Sequence, residues 1–399
     1  MALNISAAME DAWRLYRDSL EEIRADIYGS PFAASVVGQA EAHYLFHQLQ
    51  AVAFNLAIAP RQHYPRFHVA LAYEPGTYTW GGPCADFLYR FAFLDGGRTY
   101  RVWGERGTTP VLDLLALNGF WSDPADRFRP LGSVNLDDVL RDDGGFEIFA
   151  SADPGSGAAI RLDPASANNT LLVREFFLDW ETETASHLHI EALDDGKPHP
   201  MIIGENEMVA RIEGAARFMK TVLRQFSWRL SQNVIDTVGL NVFSPSPPNQ
   251  SGAKPDMTSN LMVFRLERHE ALIVELEIPD PKYWSIQLQD VWGQTRDYIY
   301  HQSGLNARQA VADGDGRVRA VLSLDDPGVA NWLDPVGSLE GSAITRWFRA
   351  KQAPNIATRR VNLADLRDAL PAETVWVTKG ERERVLAARR RGALRRYHA

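Results

Sequence analysis

Cysteine is nearly absent from this 399-residue chain, where Cys84 stands alone. A single thiol excludes an intramolecular disulfide and any thiolate-rich zinc site, and it fits a reducing compartment. Long hydrophobic runs are missing too: each candidate is broken by Gln, Arg or Asp before reaching the roughly 20 residues needed to cross a bilayer. The first residues, with Glu10, Asp11 and Arg14 close behind, lack the basic start and apolar core of a secretory signal. The expectation is a cytoplasmic protein with no membrane partner. Positive charge is also short: a formal net charge of −9 and a pI near 5.6 argue against nucleic acid as a partner. No Gly-x-Ser-x-Gly elbow, phosphate-binding Gly-x-x-x-x-Gly-Lys loop or nucleotide fingerprint occurs, so common serine hydrolases and nucleotide enzymes are disfavoured and no cofactor is expected.

What is present is 45% hydrophobic and 23% charged, an ordinary globular composition in a chain long enough for two packed units. Apolar residues return at helical spacing from Ala7 to Asp26 and from Gly38 to Leu56, so residues 1–60 read as a helical region. After Pro60 the texture changes to short apolar or alternating runs punctuated by Pro, Gly and Asp, which predicts a first β unit over 61–200. Phe87–Leu94 and Thr99–Gly104, joined by Asp95-Gly96-Gly97, read as a hairpin. Glu205 to Leu230 has one apolar face and predicts a long connecting helix within 201–240. The Pro- and Ser-rich stretch Phe243 to Asp256 reads as a loop, and the strand patterns at Asn260–Leu266, Ala271–Ile278, Trp284–Val291 and Ala320–Leu324 predict a second β unit over 241–375. Residues 376–399 form a basic helical tail, with seven arginines between Arg382 and Arg396. In an otherwise acidic chain this tail is expected to dock on its own body or on another subunit. The fold class is therefore mainly β with helical additions (α+β).

The second unit reads Pro281-Lys-Tyr-Trp-Ser-Ile-Gln-Leu-Gln-Asp-Val-Trp292, then Ser303-Gly-Leu-Asn306, Asp313-Gly-Asp-Gly316, Asp326-Pro-Gly-Val-Ala-Asn-Trp-Leu-Asp334 and Gly341 to Trp347. These motifs, in this order over Leu261 to Lys351, resemble the domain-of-unknown-function family numbered 1214. The stretch from Asp86 to Gly107 resembles a segment that precedes this domain in shorter relatives, with Cys84-Ala85 where those carry Asn-Pro. The resemblance implies two β-sandwich or jelly-roll-like units with helical additions. It transfers no general activity, although relatives in catabolic settings favour an enzyme or a ligand-binding protein.

Alternation along Tyr283–Gln289 sends Trp284, Ile286 and Leu288 to one face and Tyr283, Ser285, Gln287 and Gln289 to the other. Gln287 and Gln289 are candidate ligand contacts, or else the solvent face of an antiparallel sheet. Trp292, Asn331 and Trp332 complete the expected substrate-binding set, the last two on a turn set by Asp326-Pro327-Gly328. His301 and Asp334 are the candidate proton movers, and Tyr298 and Arg346 the candidates to steady negative charge. Each also has a structural reading, as a packed side chain or a turn anchor. His43 and His47, four apart on a helix, and His187 and His189, two apart on a strand with Glu191, could together ligate a metal if they met. Without a His-Glu-x-x-His motif, no metal is expected.

These readings favour a cofactor-independent catabolic enzyme, a lyase or hydrolase acting on a small aromatic or hydrophobic oxygenated compound. A β-sandwich protein that binds a carbohydrate or other small molecule without turnover is the alternative. A structural subunit or homo-oligomer stays open.

Overall fold

The computed structural model describes residues 5–60, 64–69, 80–124, 129–193, 203–245, 257–350 and 354–398. Two β-sandwich units and a layer of helices make up the chain, an α+β architecture dominated by mostly antiparallel sheets. In the first unit a five-stranded sheet runs in the order β1 (His68–Val69), β2 (Phe87–Leu94), β8 (Asn169–Phe176), β4 (Val111–Leu117), β5 (Pro130–Asn135). Facing it is a four-stranded sheet of β7 (Ile160–Arg161), β6 (Gly145–Ser151), β3 (Tyr100–Glu105) and β9 (His187–Ala192). Ala92, Leu94, Tyr100, Val102, Leu114 and Ile148 fill the space between them.

The second unit pairs a sheet of β10 (Met257–Arg265), β16 (Glu340–Phe348), β12 (Tyr283–Gln289) and β13 (Gly304–Asn306) with one of β15 (Trp332–Leu333), β14 (Val318–Ser323), β11 (Glu270–Glu277) and β17 (Asn355–Asn362). Trp284, Ile286, Leu288 and Trp347 meet Leu272, Val274 and Leu322 in its core. The opposite face of β12 is buried as well, because it turns toward the first unit.

Five longer helices, α1 (Ala7–Tyr28), α2 (Val36–Ala53), α3 (Glu205–Phe226), α4 (Trp228–Val238) and α6 (Lys379–His398), and the single turn α5 (Leu366–Ala369) accompany the sheets, together with short 3-10 and π-helical segments. The Ser6 hydroxyl caps α1 by accepting from Met9 N, and Ala12, Ser19, Ile23 and Ile27 form its buried stripe. Helices α1, α2 and α3 share one apolar cluster with Phe87, Phe91, Phe93, Phe120, Phe176, Tyr283, Trp292 and Phe348. The largest core of the protein therefore lies between the units rather than within either.

Two local expectations are corrected. Strands β2 and β3 do not pair: β2 lies between β1 and β8, while β3 lies between β6 and β9 in the facing sheet. Asp95-Gly96-Gly97 is a tight turn, with Gly97 N donating to Asp95 Oδ1 at 2.8 Å. It carries the chain from one sheet to the other because apolar residues on β2 and β3 must face each other across the sandwich. The connecting helix expected over Glu205–Leu230 is broken at Ser227, whose backbone is extended (φ −120, ψ −155). There the loop after β12 presses on the end of α3: a Cβ on Gly293 would stand 2.3 Å from the Phe226 carbonyl oxygen, and Ser231 Oγ donates to Val291 O at 2.8 Å.

Candidate active site

Polar groups concentrate at the seam where the first unit's entry into β2 meets the polar face of β12 and β16. Trp80-Gly81-Gly82-Pro83-Cys84-Ala85-Asp86 leads into β2, with Gly81 and Gly82 both at positive φ. Side chains of β12 hold this turn from the other unit. Gln287 accepts from Ala85 N at 2.6 Å and donates to Pro83 O at 2.8 Å and to Thr295 Oγ1 at 3.0 Å. Arg346, opposite Ser285 in the β12–β16 register, donates to the Gly82 carbonyl.

Asp86 is the hub. Its Oδ2 accepts from Tyr283 OH at 2.6 Å, and its Oδ1 accepts from Trp180 Nε1 and Asn306 Nδ2, each at 2.8 Å. Burial pushes its carboxyl above the usual range, against the pull of these donors and of nearby Arg396. Burial also raises the Tyr283 phenol, with Asp86 and Cys84 adding to the shift. Cys84 Sγ stands 3.2 Å from Tyr283 OH and 3.8 Å from Ser285 Oγ, and burial raises its thiol, so it is no ready thiolate nucleophile. Tyr89 OH accepts from Cys84 N at 3.1 Å, and burial lifts its phenol to about 12. Aromatic rings enclose one side: Phe87 and Phe176 stack at 3.8 Å, and Tyr283 lies against both at 5.2 and 5.1 Å.

Several donors in this seam have no acceptor. Arg346 Nη1, Gln289 Nε2, Trp80 Nε1 and Trp292 Nε1 are buried and unbonded. An unsatisfied buried donor costs about 1–3 kcal/mol, more for a charged one, so four in one region mark it as incomplete.

The predicted site residues fall in four places. His301 Nδ1 and Asp334 Oδ2 meet at 2.7 Å, with His301 half-exposed. Asp334 also accepts from Val336 N at 2.8 Å. This pair shares no hydrogen-bonding partner with Arg346, whose surroundings are Gly82, Cys84, Tyr89, Tyr283 and Asp86. Tyr298 is fully buried edge-on to Trp180 at 5.9 Å, on the far side of the Asp86 network. Gln287, Gln289 and Trp292 belong to the seam. Asn331 braces a loop through Val311 N and O at 2.9 and 2.7 Å, and Trp332 Nε1 donates to Ser323 O at 3.0 Å, both remote from the seam contacts. Sequence reading did not single out Tyr283, Asp86 or Tyr89 as site residues and found no partner for Cys84. The available signal was the Gly81-Gly82-Pro83 turn directly before a strongly aromatic strand.

The histidine pairs stay separate. His43 bonds Tyr28 OH and stacks on His47 at 6.4 Å, while His189 stacks on Trp103 at 5.4 Å in the outer sheet of the first unit. Among the described residues, no three His, Cys, Asp or Glu side chains gather closely enough to hold a metal. No described helix is long and apolar enough to cross a membrane. The basic tail docks on its own chain. Arg382 pairs with Asp326 at 2.9 Å, Arg396 donates to Ala85 O at 2.8 Å, and Arg389 and Arg396 lie 4.7 and 4.2 Å from the Trp180 ring centroid.

No family model matches the chain, and no curated protein does. Among solved structures it is similar to an uncharacterized protein from Burkholderia cenocepacia, with 27% identity and a TM-score of 0.80 over 88% of this chain and 97% of that one. It also aligns with the VPA0106 protein from Vibrio parahaemolyticus at 14% identity and a TM-score of 0.44, over 88% of this chain and 99% of that one.

Proposed function

We propose that this chain stands with the domain-of-unknown-function family numbered 1214 and is an acid–base enzyme, a lyase or hydrolase, acting on a small aromatic or hydrophobic oxygenated compound at the seam between its two β units. The observation that carries this reading is the 2.6 Å hydrogen bond from Tyr283 to Asp86, beside a buried arginine with a free donor. A carboxyl raised by burial can hold a proton, and a phenol bonded to it can pass that proton on. With Asp86 protonated the same bond runs the other way, Asp86 Oδ2–H to the Tyr283 oxygen, which frees the Tyr283 hydrogen for a leaving or developing oxygen. Tyr283 gives that proton up as it takes the one from Asp86, Asp86 is left as a carboxylate, and Arg346 steadies negative charge on the substrate. The Phe87, Phe176 and Phe348 rings around Tyr283 suit an aromatic or apolar body.

One observation favours binding without turnover. Both Asp86 oxygens are already engaged by Tyr283, Trp180 and Asn306, as a purely structural carboxyl would be. The experiment that separates the two screens the purified chain against aromatic and oxygenated compounds, with binding read by calorimetry and turnover by mass spectrometry. Turnover lost in Tyr283→Phe supports the enzyme. Binding without conversion of any compound by the wild type replaces it with the binding protein, and no binding at all overturns both.

A further inference from the structure

We infer that the seam binds its ligand through a carboxylate, received by Arg346 and Gln289 at the crossing of Gly82 and Gly293. This names the substrate class for the site proposed above and rests on that reading. Gly82 ties the donors together. Its amide donates to Gly293 O at 3.1 Å, its carbonyl accepts from Arg346 Nη2, and a Cβ on it would come within 2.7 Å of Gln289 Nε2. Trp80 precedes this crossing by two residues in the turn before β2, and Trp292 adjoins Gly293 in the loop after β12.

The inventory around this point is one-sided. Arg346 Nη1, Gln289 Nε2, Trp80 Nε1 and Trp292 Nε1 are all donors, all under 10% exposed and all unbonded. Three of them belong to residue types whose nitrogens can only donate, so they cannot satisfy one another, and a flip of the Gln289 amide would offer its oxygen while still leaving the other donors of the group without acceptors. The guanidinium is permanently charged, yet among the described residues no acid forms an ion pair with it, and Asp290, next to Gln289, is taken up by Trp292 N and Gln294 N. Asp86 is bound by Tyr283, Trp180 and Asn306, and Asp113 by Arg174 at 2.6 Å. The remaining titratable groups near Arg346 are Cys84, Tyr89 and Tyr283, whose protons burial retains. A small anion with two acceptor oxygens supplies both what the donors lack and what the charge lacks. A carboxylate fits an arginine and a neighbouring amide, which is the recognition this crossing offers.

The test compares benzoate, 4-hydroxybenzoate and phenylacetate with their neutral nitro or amide counterparts, on the full chain, by calorimetry and by crystal soaking. At least one carboxylate should bind tenfold or more tightly than its neutral counterpart, with its oxygens between Arg346 and Gln289. Arg346→Gln should lower that affinity at least tenfold, and Arg346→Lys should retain part of it. Equal binding of acids and neutral counterparts, binding unchanged in Arg346→Gln, or a crossing occupied by ordered water alone in soaked crystals overturns the inference. Should Arg346→Gln not fold, the comparison of acid and neutral compounds on the wild type decides. The enzyme reading fails separately. Carboxylates that bind through Arg346 yet are never converted remove the enzyme and keep the anion site, while neutral compounds turned over in a Tyr283-dependent way do the reverse.

Discussion

Tyr283 of the second β unit donates a 2.6 Å hydrogen bond to Asp86 of the first, joining residues 197 positions apart in a region with almost no water access. This contact is both a rivet between the units and the centre of the proposed chemistry, and the two roles predict different responses to mutation.

Removing the phenol oxygen isolates them. Tyr283→Phe keeps the ring against Phe87 and Phe176 but leaves Asp86 Oδ2 without its shortest donor. We expect a loss of about 1–3 kcal/mol in denaturant stability, the usual cost of an unsatisfied buried acceptor. Asp86→Asn should cost a similar amount, and a double-mutant cycle should find the two strongly non-additive. Where a converted substrate is in hand, Tyr283→Phe should slow turnover by about 10²–10⁴-fold, the range for loss of a positioned proton donor. A stability loss with unchanged turnover would reduce the contact to a rivet.

The buried carboxyl of Asp290 should make stability depend on acidity. Burial raises it to about 6, with Arg296 opposing the shift. An acid raised on folding holds its proton more tightly in the native state, so its contribution is fully present below the unfolded value near 4 and is lost as pH rises toward 6. Asp290 Oδ1 accepts from both Trp292 N at 2.9 Å and Gln294 N at 2.8 Å, and an asparagine oxygen can accept the same two bonds. Asp290→Asn should therefore flatten the stability profile between about pH 4 and 6 and gain about 1–3 kcal/mol at pH 7. Urea titrations at several pH values check this, and an unchanged slope would sink it.

How legible the protein is in its sequence follows from how local each cause is. Helix α1 could be read because its apolar spacing lies within one element, although of that spacing Ala12 and Ile23 are buried while Trp13 is exposed. The alternation of Tyr283 through Gln289 gave both faces of β12, but not that its amide face is covered, since the cover is a turn some 200 residues upstream. Asp95-Gly96-Gly97 announced a turn through local chemistry. Which sheet the chain enters after it depends on apolar partners such as Ile148 and Ala150, which pair with β3 from β6, far along the chain. His301 and Asp334 meet, as their chemistry suggests, whereas Arg346, close to them in sequence, faces the other way because it sits on the seam side of β16.

That separation gives a test of its own. His301 is half-exposed and its Nδ1 meets Asp334 Oδ2 at 2.7 Å, while Asp334 keeps its bond from Val336 N, so His301→Ala should cost about 1 kcal/mol, the order of one lost hydrogen bond. Turnover that depends on Tyr283 should survive the change within a few-fold. A collapse of activity in His301→Ala with intact folding would move the catalytic centre to the His301–Asp334 pair.

The tail offers the most indirect handle on the seam. Gly392 lies where α6 crosses Trp180, and a Cβ there would stand 2.7 Å from Trp180 Cβ and 2.9 Å from its backbone carbon and oxygen. The neighbours are largely backbone, so they cannot yield as a flexible side-chain tip would. Gly392→Ala should push the end of α6 outward, weakening the bond from Arg396 to Ala85 O and the stacking of Arg389 and Arg396 on Trp180. Because Trp180 Nε1 donates to Asp86 at 2.8 Å and Arg396 favours the charged form of that carboxyl, the effect reaches the hub without touching it. Hydrogen exchange should rise in α6 and at Trp180, while β10 to β14 keep their protection. With the pull of Arg396 weakened, Asp86 should hold its proton to higher pH, shifting the pH profile of Tyr283-dependent turnover upward. Faster exchange in α6 with an unmoved profile would show that the tail secures the fold without tuning the carboxyl.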